Sequence, residues 1–201
     1  MVDYAVITAK DEADTIGGIV VALRGMKIYP IVINDGSRDD TGFIAEECGA
    51  VVIDHEKPHG IAQSLLEAWR VAYNMRADRI IQLDAGGSHN PLEIPRLLDA
   101  LDGNDIVVGS RFLPESSYDG RSWRAKGSRL AAKMMNFAAT GARYKLNLTD
   151  WTSGYRVFTR EALNKLLHRA YYERMHPWQL EVLVEAAMMR MRINEAPITY
   201  K

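Results

Sequence analysis

Residues 79–91 read RIIQLDAGGSHNP. The run 79–84 has the length and apolar content of a buried strand, and it closes on a carboxylate, Asp84. Two glycines, a serine and a histidine then leave bare backbone at the strand tip. Pro91 stands where the first turn of a helix tolerates it. A strand, a polar turn and a helix opening form the repeating unit of an α/β sheet.

The same unit recurs on both sides. Upstream lie the apolar bursts YAVITA (4–9), IYPIVIN (28–34) and AVVID (50–54), and downstream DIVVGS (105–110). Helical patterns separate them over 14–24, 41–48, 59–73 and 91–101; in the third, Ile61, Leu65, Ala68, Trp69 and Ala72 share one face. The strands are continuous apolar runs, so the spacing predicts an α/β fold with a mostly parallel central sheet and helices on both faces. Beyond residue 110 the rhythm breaks. LPESSYDGRSWRAKG (113–127) reads as a long polar lid or mobile loop. A helix is expected over 127–140, a strand over 155–159, helices over 160–168 and 177–190, and an extended end over 192–200.

The chain has 201 residues, 47% of them hydrophobic, and a formal net charge of −1. This composition suits one globular domain, with residues 1–110 as one half and 111–201 as the other. Balanced charge argues against a general nucleic-acid binder. Cys48 is the sole cysteine, which excludes an intramolecular disulfide and a cysteine zinc cluster. The opening MVDYAVITAK does not read as a signal peptide. No run approaches the ~18–20 apolar residues of a membrane span. A cytoplasmic protein is expected, meeting a membrane only peripherally.

In a parallel sheet the carboxyl ends of the strands share one rim, where ligands bind. Lys10, Asp11 and Glu12 follow the first strand, Asn34 to Ser37 the second, Asp54 and His55 the third, Asp84 the fourth, and Ser110 and Arg111 the fifth. Converging carboxylates need a cation or hydrogen-bond donors to stay charged. Any one aspartate could simply cap a turn; the set, beside glycines and an arginine, points to a ligand site. Neither G-x-G-x-x-G nor G-x-x-x-x-G-K-[ST] occurs, which disfavours a hydride enzyme and a P-loop ATPase. A nucleotidyltransferase would want a glycine- and arginine-rich first loop, where KDEADT stands instead. His89 reads either as a turn hydrogen bonder or as a metal ligand. The basic run Arg121, Arg124, Lys126, Arg129 and Lys133 reads either as a solvated helix face or as a phosphate clamp.

The motifs resemble, in order and over almost the whole chain, those of the family 2 glycosyltransferases of GT-A fold, most closely the dolichyl-phosphate mannose synthase group. VITAKDEADTIG (6–17), INDGSRDDT (33–41), LDAGGSHNPLEIPRLL (83–98), VVGSRF (107–112), DWTSGYRVFTREAL (150–163), QLEVLVEA (179–186) and EAPITY (195–200) are similar to its successive blocks.

The resemblance implies a nucleotide-sugar donor, a divalent Mg or Mn ion, and transfer with inversion. Glu12 and Asp35 would face the base and ribose. Asp84 would be the first acid of D-x-D and, with Ser88, a metal ligand. Arg111, Arg124 and Ser128 would contact phosphates, with Arg111 also stabilising the leaving nucleotide. Asp150 and Glu181 are the candidate general bases, although a phosphate acceptor would need none; Asp150 reads equally as a structural residue tying the Thr152-Ser153-Gly154 turn. The acceptor could be a polyprenyl (lipid) phosphate, a glycan, a protein or a modified nucleobase.

Three departures stand out. Gly86 replaces the second acid of D-x-D, Thr8 a proline and Lys10 a tyrosine. Gly86 leaves three readings: donor phosphates complete a weak metal site, cationic side chains replace the metal, or the protein is a catalytically weak or non-catalytic nucleotide-sugar binder.

Overall fold

The computed structural model describes residues 1–118, 123–141, 146–169 and 178–200; the side chains of 123–125 and 138–141 lie outside that description. Strands are β1 (Asp3–Ala9), β2 (Tyr29–Asn34), β3 (Val51–Asp54), β4 (Arg79–Asp84), β5 (Ile106–Ser110), β6 (Arg156–Thr159) and β7 (Ile193–Pro197). Helices are α1 (Ala13–Gly25), α2 (Thr41–Glu47), α3 (Ile61–Asn74), α4 (Ile94–Ala100), α5 (Trp123–Gly141), α6 (Arg160–Leu167) and α7 (Trp178–Met188). All seven strands form one sheet in the order β3-β2-β1-β4-β6-β5-β7. Every pairing is parallel except those of β6, which runs antiparallel to β4 and β5.

The continuous apolar strands make sense because both faces are covered. Successive side chains point to opposite sides of a sheet. Tyr4, Val6, Ile31, Ile33, Ile80 and Phe158 pack towards α3, α6 and α7. Ala5, Ile7, Val32, Ile81, Leu83 and Val157 pack towards α1 and α4. Trp69 is fully buried on the first face, 5.0 Å from the Phe158 ring and 5.2 Å from Trp178 between centroids. Truncating an aromatic in such a core costs about 3–5 kcal/mol.

Two boundaries differ from the sequence reading. The helix expected from Pro91 opens as a 3-10 turn, Pro91–Glu93, with Asn90 Oδ1 accepting the Leu92 amide at 3.1 Å. Pro95 has no amide to return to Pro91, so the α-helical ladder cannot start there. Helix α5 begins at Trp123 rather than Gly127, because one interior glycine costs only about 1 kcal/mol. The part of the expected loop over 119–122 lies outside the described residues.

Candidate active site

The site is built where β1, β2 and β4 end. The segment DGSRDDT ties β2 to the start of α1. Ser37 Oγ accepts the Asp11 amide at 2.9 Å, Thr41 Oγ1 the Glu12 amide at 2.8 Å, and Asp39 the Ala13 amide at 3.2 Å. The amides of the two residues leading into α1 and of its first residue are thus satisfied by another loop, and Asp11 sits at φ +54°. That clamp fixes Glu12 at the rim.

A cleft of about 660 Å³ opens past the end of β4, between the α3 start, α5 and α7. Asp84, Arg111 and Ser128 line it together, joined by His89, Thr152 and Gln179. Gly154 closes its floor. A Cβ there would stand 3.0 Å from Gln179 Nε2 and 3.1 Å from Asp84 Oδ1, so only glycine lets the two groups approach the backbone. Gln82, two residues before Asp84 on the same face, donates to the Gly154 carbonyl at 3.0 Å and accepts from Trp69 Nε1 at 3.2 Å. A buried amide pinned at both ends holds the floor in register.

Arg111 is the best-anchored cation of the cleft. Its Nε and Nη2 donate to the two Asp150 oxygens at 2.7 and 2.8 Å, and Nη2 also donates to Thr152 Oγ1 at 2.6 Å. The rings of Phe112, Tyr118 and Tyr200 stand 5.2–5.6 Å from the guanidinium carbon. Burial works against the cation, yet the Asp150 hydrogen bonds outweigh it and raise the Arg111 pKa. Nη1 keeps no partner among the described residues. Asp150 is fully buried and also accepts the Arg111 and Thr152 amides, at 3.2 and 3.1 Å. With its lone pairs so engaged, this carboxylate is built to hold a guanidinium and has no edge open to an acceptor proton. Glu195 fixes the turn in turn, accepting the Thr149 and Asp150 amides at 2.8 and 2.9 Å.

Asp84 is different, with a side chain 42% exposed. Its amide donates to His89 Nδ1 at 3.1 Å. His89 therefore carries its proton on Nε2 and serves the turn. Burial pushes the His89 pKa down.

A divalent cation suits this end of the cleft. Asp84 offers a hard carboxylate, and Glu12 Oε1 lies 3.2 Å from where a Cβ on residue 86 would stand. Gly86 itself adds no ligand, so the oxygens of a diphosphate would supply most of the shell beside Asp84. Glu12, expected at the base and ribose, reaches the 86 turn from the start of α1 and does not line the cleft.

Other expected residues are not gathered here. Ser88 lines a separate hollow of about 130 Å³ with Asn90 and Thr199. Glu181 lies on α7 just after Gln179 and Leu180, which line the cleft when it does not. The Arg124 side chain and Arg121 lie outside the described residues. Asp35 sits beneath loop 55–60, accepting the His59 and Gly60 amides at 2.8 and 2.9 Å and His55 Nδ1 at 2.8 Å. Gly36, at φ +72°, lets that loop cross, since a Cβ would stand 2.9 Å from Pro58. Burial alone would raise the Asp35 pKa; these donors overcome it and lower the value.

The two histidines pull stability in opposite directions with pH. Burial depresses His89, so the stability it carries is present above the unfolded value near 6.5 and lost as pH falls towards its folded value. Burial also disfavours charged His55, but Asp35 and Glu67 outweigh it and raise its pKa. Its contribution is full below about 6.5 and is lost as pH rises through the folded value. Unfolding free energies from urea titrations with chelator at pH 5 to 8.5 should peak near 6.5, falling on the acid side by up to about 1.4 kcal/mol per pH unit. A free energy still climbing at pH 8 would contradict the assignment.

The sequence named Thr152 only as part of a turn tied by Asp150, and did not single out Gln179, Tyr200 or Glu195. The last two lay in the EAPITY block, whose similarity was legible without a role for either residue.

The mostly parallel seven-stranded sheet with helices on both faces, and the cleft past the end of β4, have the architecture of the GT-A glycosyltransferases. The comparisons with known proteins agree. The model of the family "Glycosyl transferase family 2" matches residues 4–167. The chain belongs to that family and is a glycosyltransferase. It is 30% identical over 185 residues to the polyprenol monophosphomannose synthase of Mycolicibacterium smegmatis, spanning 87% of this chain and 67% of that protein. It is 31% identical to the undecaprenyl-phosphate mannosyltransferase of Micrococcus luteus, spanning 85% and 70%. In fold it is similar to glucosyl-3-phosphoglycerate synthase from Mycobacterium tuberculosis, solved with Mn2+, UDP and glucosyl-3-phosphoglycerate. The TM-score is 0.71 at 19% identity, over 99% of this chain and 70% of that one.

Proposed function

We propose that the protein transfers a sugar, with inversion, from a nucleoside diphosphate sugar to a polyprenyl phosphate. One observation carries the choice of acceptor. The cleft presents a fixed guanidinium, while Asp150, the carboxylate beside it, is consumed in holding that cation. A hydroxyl acceptor needs a base to take its proton. A phosphate acceptor arrives ionised and needs only a cation to seat it. The names of the two relatives, a polyprenol phosphomannose synthase and an undecaprenyl-phosphate mannosyltransferase, support the same acceptor class.

In this reading residues 1–110 hold the donor and the rest of the chain faces the acceptor. Glu12 stands at the donor end, and Asp35 shapes the base and ribose wall by holding loop 55–60. A phosphate oxygen of the acceptor attacks the anomeric carbon from the face opposite the diphosphate. The new carbon–oxygen bond forms as the old one breaks, and the nucleoside diphosphate leaves with the electron pair. Asp84 would hold a divalent ion, which when bound offsets charge on the diphosphate. Arg111 Nη1 and Ser128 Oγ bind phosphate oxygens in the cleft.

No helix among the described residues is long and apolar enough to cross a membrane. Contact with a lipid surface would instead use α5. Leu130, Met134 and Phe137 are 60–84% exposed on one side of it, while Gly127, Ser128 and Ala131 of the same helix line the cleft.

The test is transfer of labelled sugar from a panel of nucleoside diphosphate sugars, mannosyl donors first, into detergent-dispersed polyprenyl phosphate, with Mn2+ or chelator. Label should enter the polyprenyl phosphate and not the matching polyprenol, with inverted anomeric configuration by NMR. Transfer to the alcohol alone would sink the reading. Donor binding without turnover under every condition would favour the non-catalytic binder that Gly86 suggests.

A further inference from the structure

Three metal-ligating side chains meet behind the donor wall, and the proposed transfer assigns none of them a role. His55 follows β3, His59 lies on the next loop, and Glu67 stands on α3. One ligand atom from each lies within 4.8 Å of the others. His55 Nε2 is 2.8 Å from Glu67 Oε2. The His59 ring lies against that of His55, with centroids 3.9 Å apart and planes 30° apart. β3 is an edge strand, separated from β4 by β2 and β1. None of the three lines the cleft that holds Asp84.

We infer that His55, His59 and Glu67 form a binding site for one transition-metal dication of the zinc class. Two imidazoles and a carboxylate suit Zn2+, whereas Mg2+ and Mn2+ prefer all-oxygen shells. Tetrahedral ligation at about 2.0–2.1 Å spaces ligand atoms about 3.3 Å apart, so the His55–Glu67 pair needs to open by only about 0.5 Å. The ion takes the place of the proton now shared between Nε2 and Oε2.

The surroundings are those of a metal site as well. Asp35 accepts from His55 Nδ1 at 2.8 Å, which fixes the ring and turns the Nε2 lone pair to the ion. Asp35 also takes the His59 and Gly60 amides, so one carboxylate orients both histidine-bearing stretches. The His55 side chain is 5% exposed and that of Glu67 39%, while His59 is exposed. The ion therefore has a path in, and water can take the fourth position. Loop 55–60 runs directly into Ile61, which lines the cleft. Metal at this site would tie the loop to α3 and stiffen that wall. The inference does not depend on the proposed reaction.

Zn2+ binding to the intact protein is measured by calorimetry, with Co2+ absorption reporting the ligand field. Wild type should take up one equivalent of Zn2+ at micromolar or lower Kd, gain thermal stability, and ignore Mg2+ at the same concentration. His59→Ala and Glu67→Gln should each weaken Zn2+ at least about tenfold. His59→Ala leaves the Asp35–His55 bond intact, so its metal-free melting temperature should match wild type and show that the fold survives. Asp84→Asn should bind Zn2+ as wild type does. Absence of Zn2+ binding at 100-fold above micromolar concentration, or binding unchanged in His59→Ala and Glu67→Gln, overturns the assignment.

Discussion

Asp150→Ala should lower the stability of the protein by about 3–5 kcal/mol, the cost of leaving a buried cation without its anion. The effect is large because the carboxylate is fully buried and accepts from Arg111 Nε, Nη2 and N, and from Thr152. Removing it orphans the guanidinium and two backbone donors at once. Glu195, which holds the same turn, does not replace the charge: it is itself raised in pKa, chiefly by burial, and is already taken up by the amides of Thr149 and Asp150. Urea unfolding of Asp150→Ala against wild type checks this. A loss below 1 kcal/mol would mean the ion pair is solvated in solution and the cleft wall is looser than described.

Arg111→Lys should leave the fold in place and lower transfer by about a hundredfold to a thousandfold in kcat/KM. An ammonium can still neutralise Asp150, so stability changes little. It cannot span both Asp150 oxygens and Thr152 Oγ1 while keeping a further donor for phosphate, because its donors radiate from one point rather than from a planar fork. Its charge also loses the stacking of Phe112, Tyr118 and Tyr200 around the guanidinium. Steady-state transfer assays at fixed salt, with circular dichroism to confirm folding, give the answer. Near-wild-type transfer would remove Arg111 from the phosphate-binding role.

The strands and most helices were legible because buried parallel strands leave a simple trace: apolar runs of fixed length, each closed by polar turn residues. β1 to β5 fall within a residue or so of the expected runs. The DGSRDDT segment was legible as a pattern, and its reason is local too, since Ser37, Asp39 and Thr41 meet the amides of Asp11 to Ala13. The antiparallel sense of β6 was not. Its residues pack the same way in either direction, and its neighbours β4 and β5 lie far off in sequence. A turn-tying Asp150 was one of the two readings open to the sequence, but its grip on Arg111 was hidden. Its partner Arg111 is 39 residues away, and a carboxylate that grips a cation has the same letter as one that takes a proton.

The chain by itself determined the layered α/β architecture, the rim where acids gather, and the family, since each is written in short-range periodicity or contiguous motifs. Tertiary structure alone decided which acids remain available to a ligand. Asp84 stays open, whereas Asp35 and Asp150 are spent on a loop and on Arg111. Burial and hydrogen-bond partners fix the charge and reach of a carboxylate, and both are contributed by segments distant in sequence.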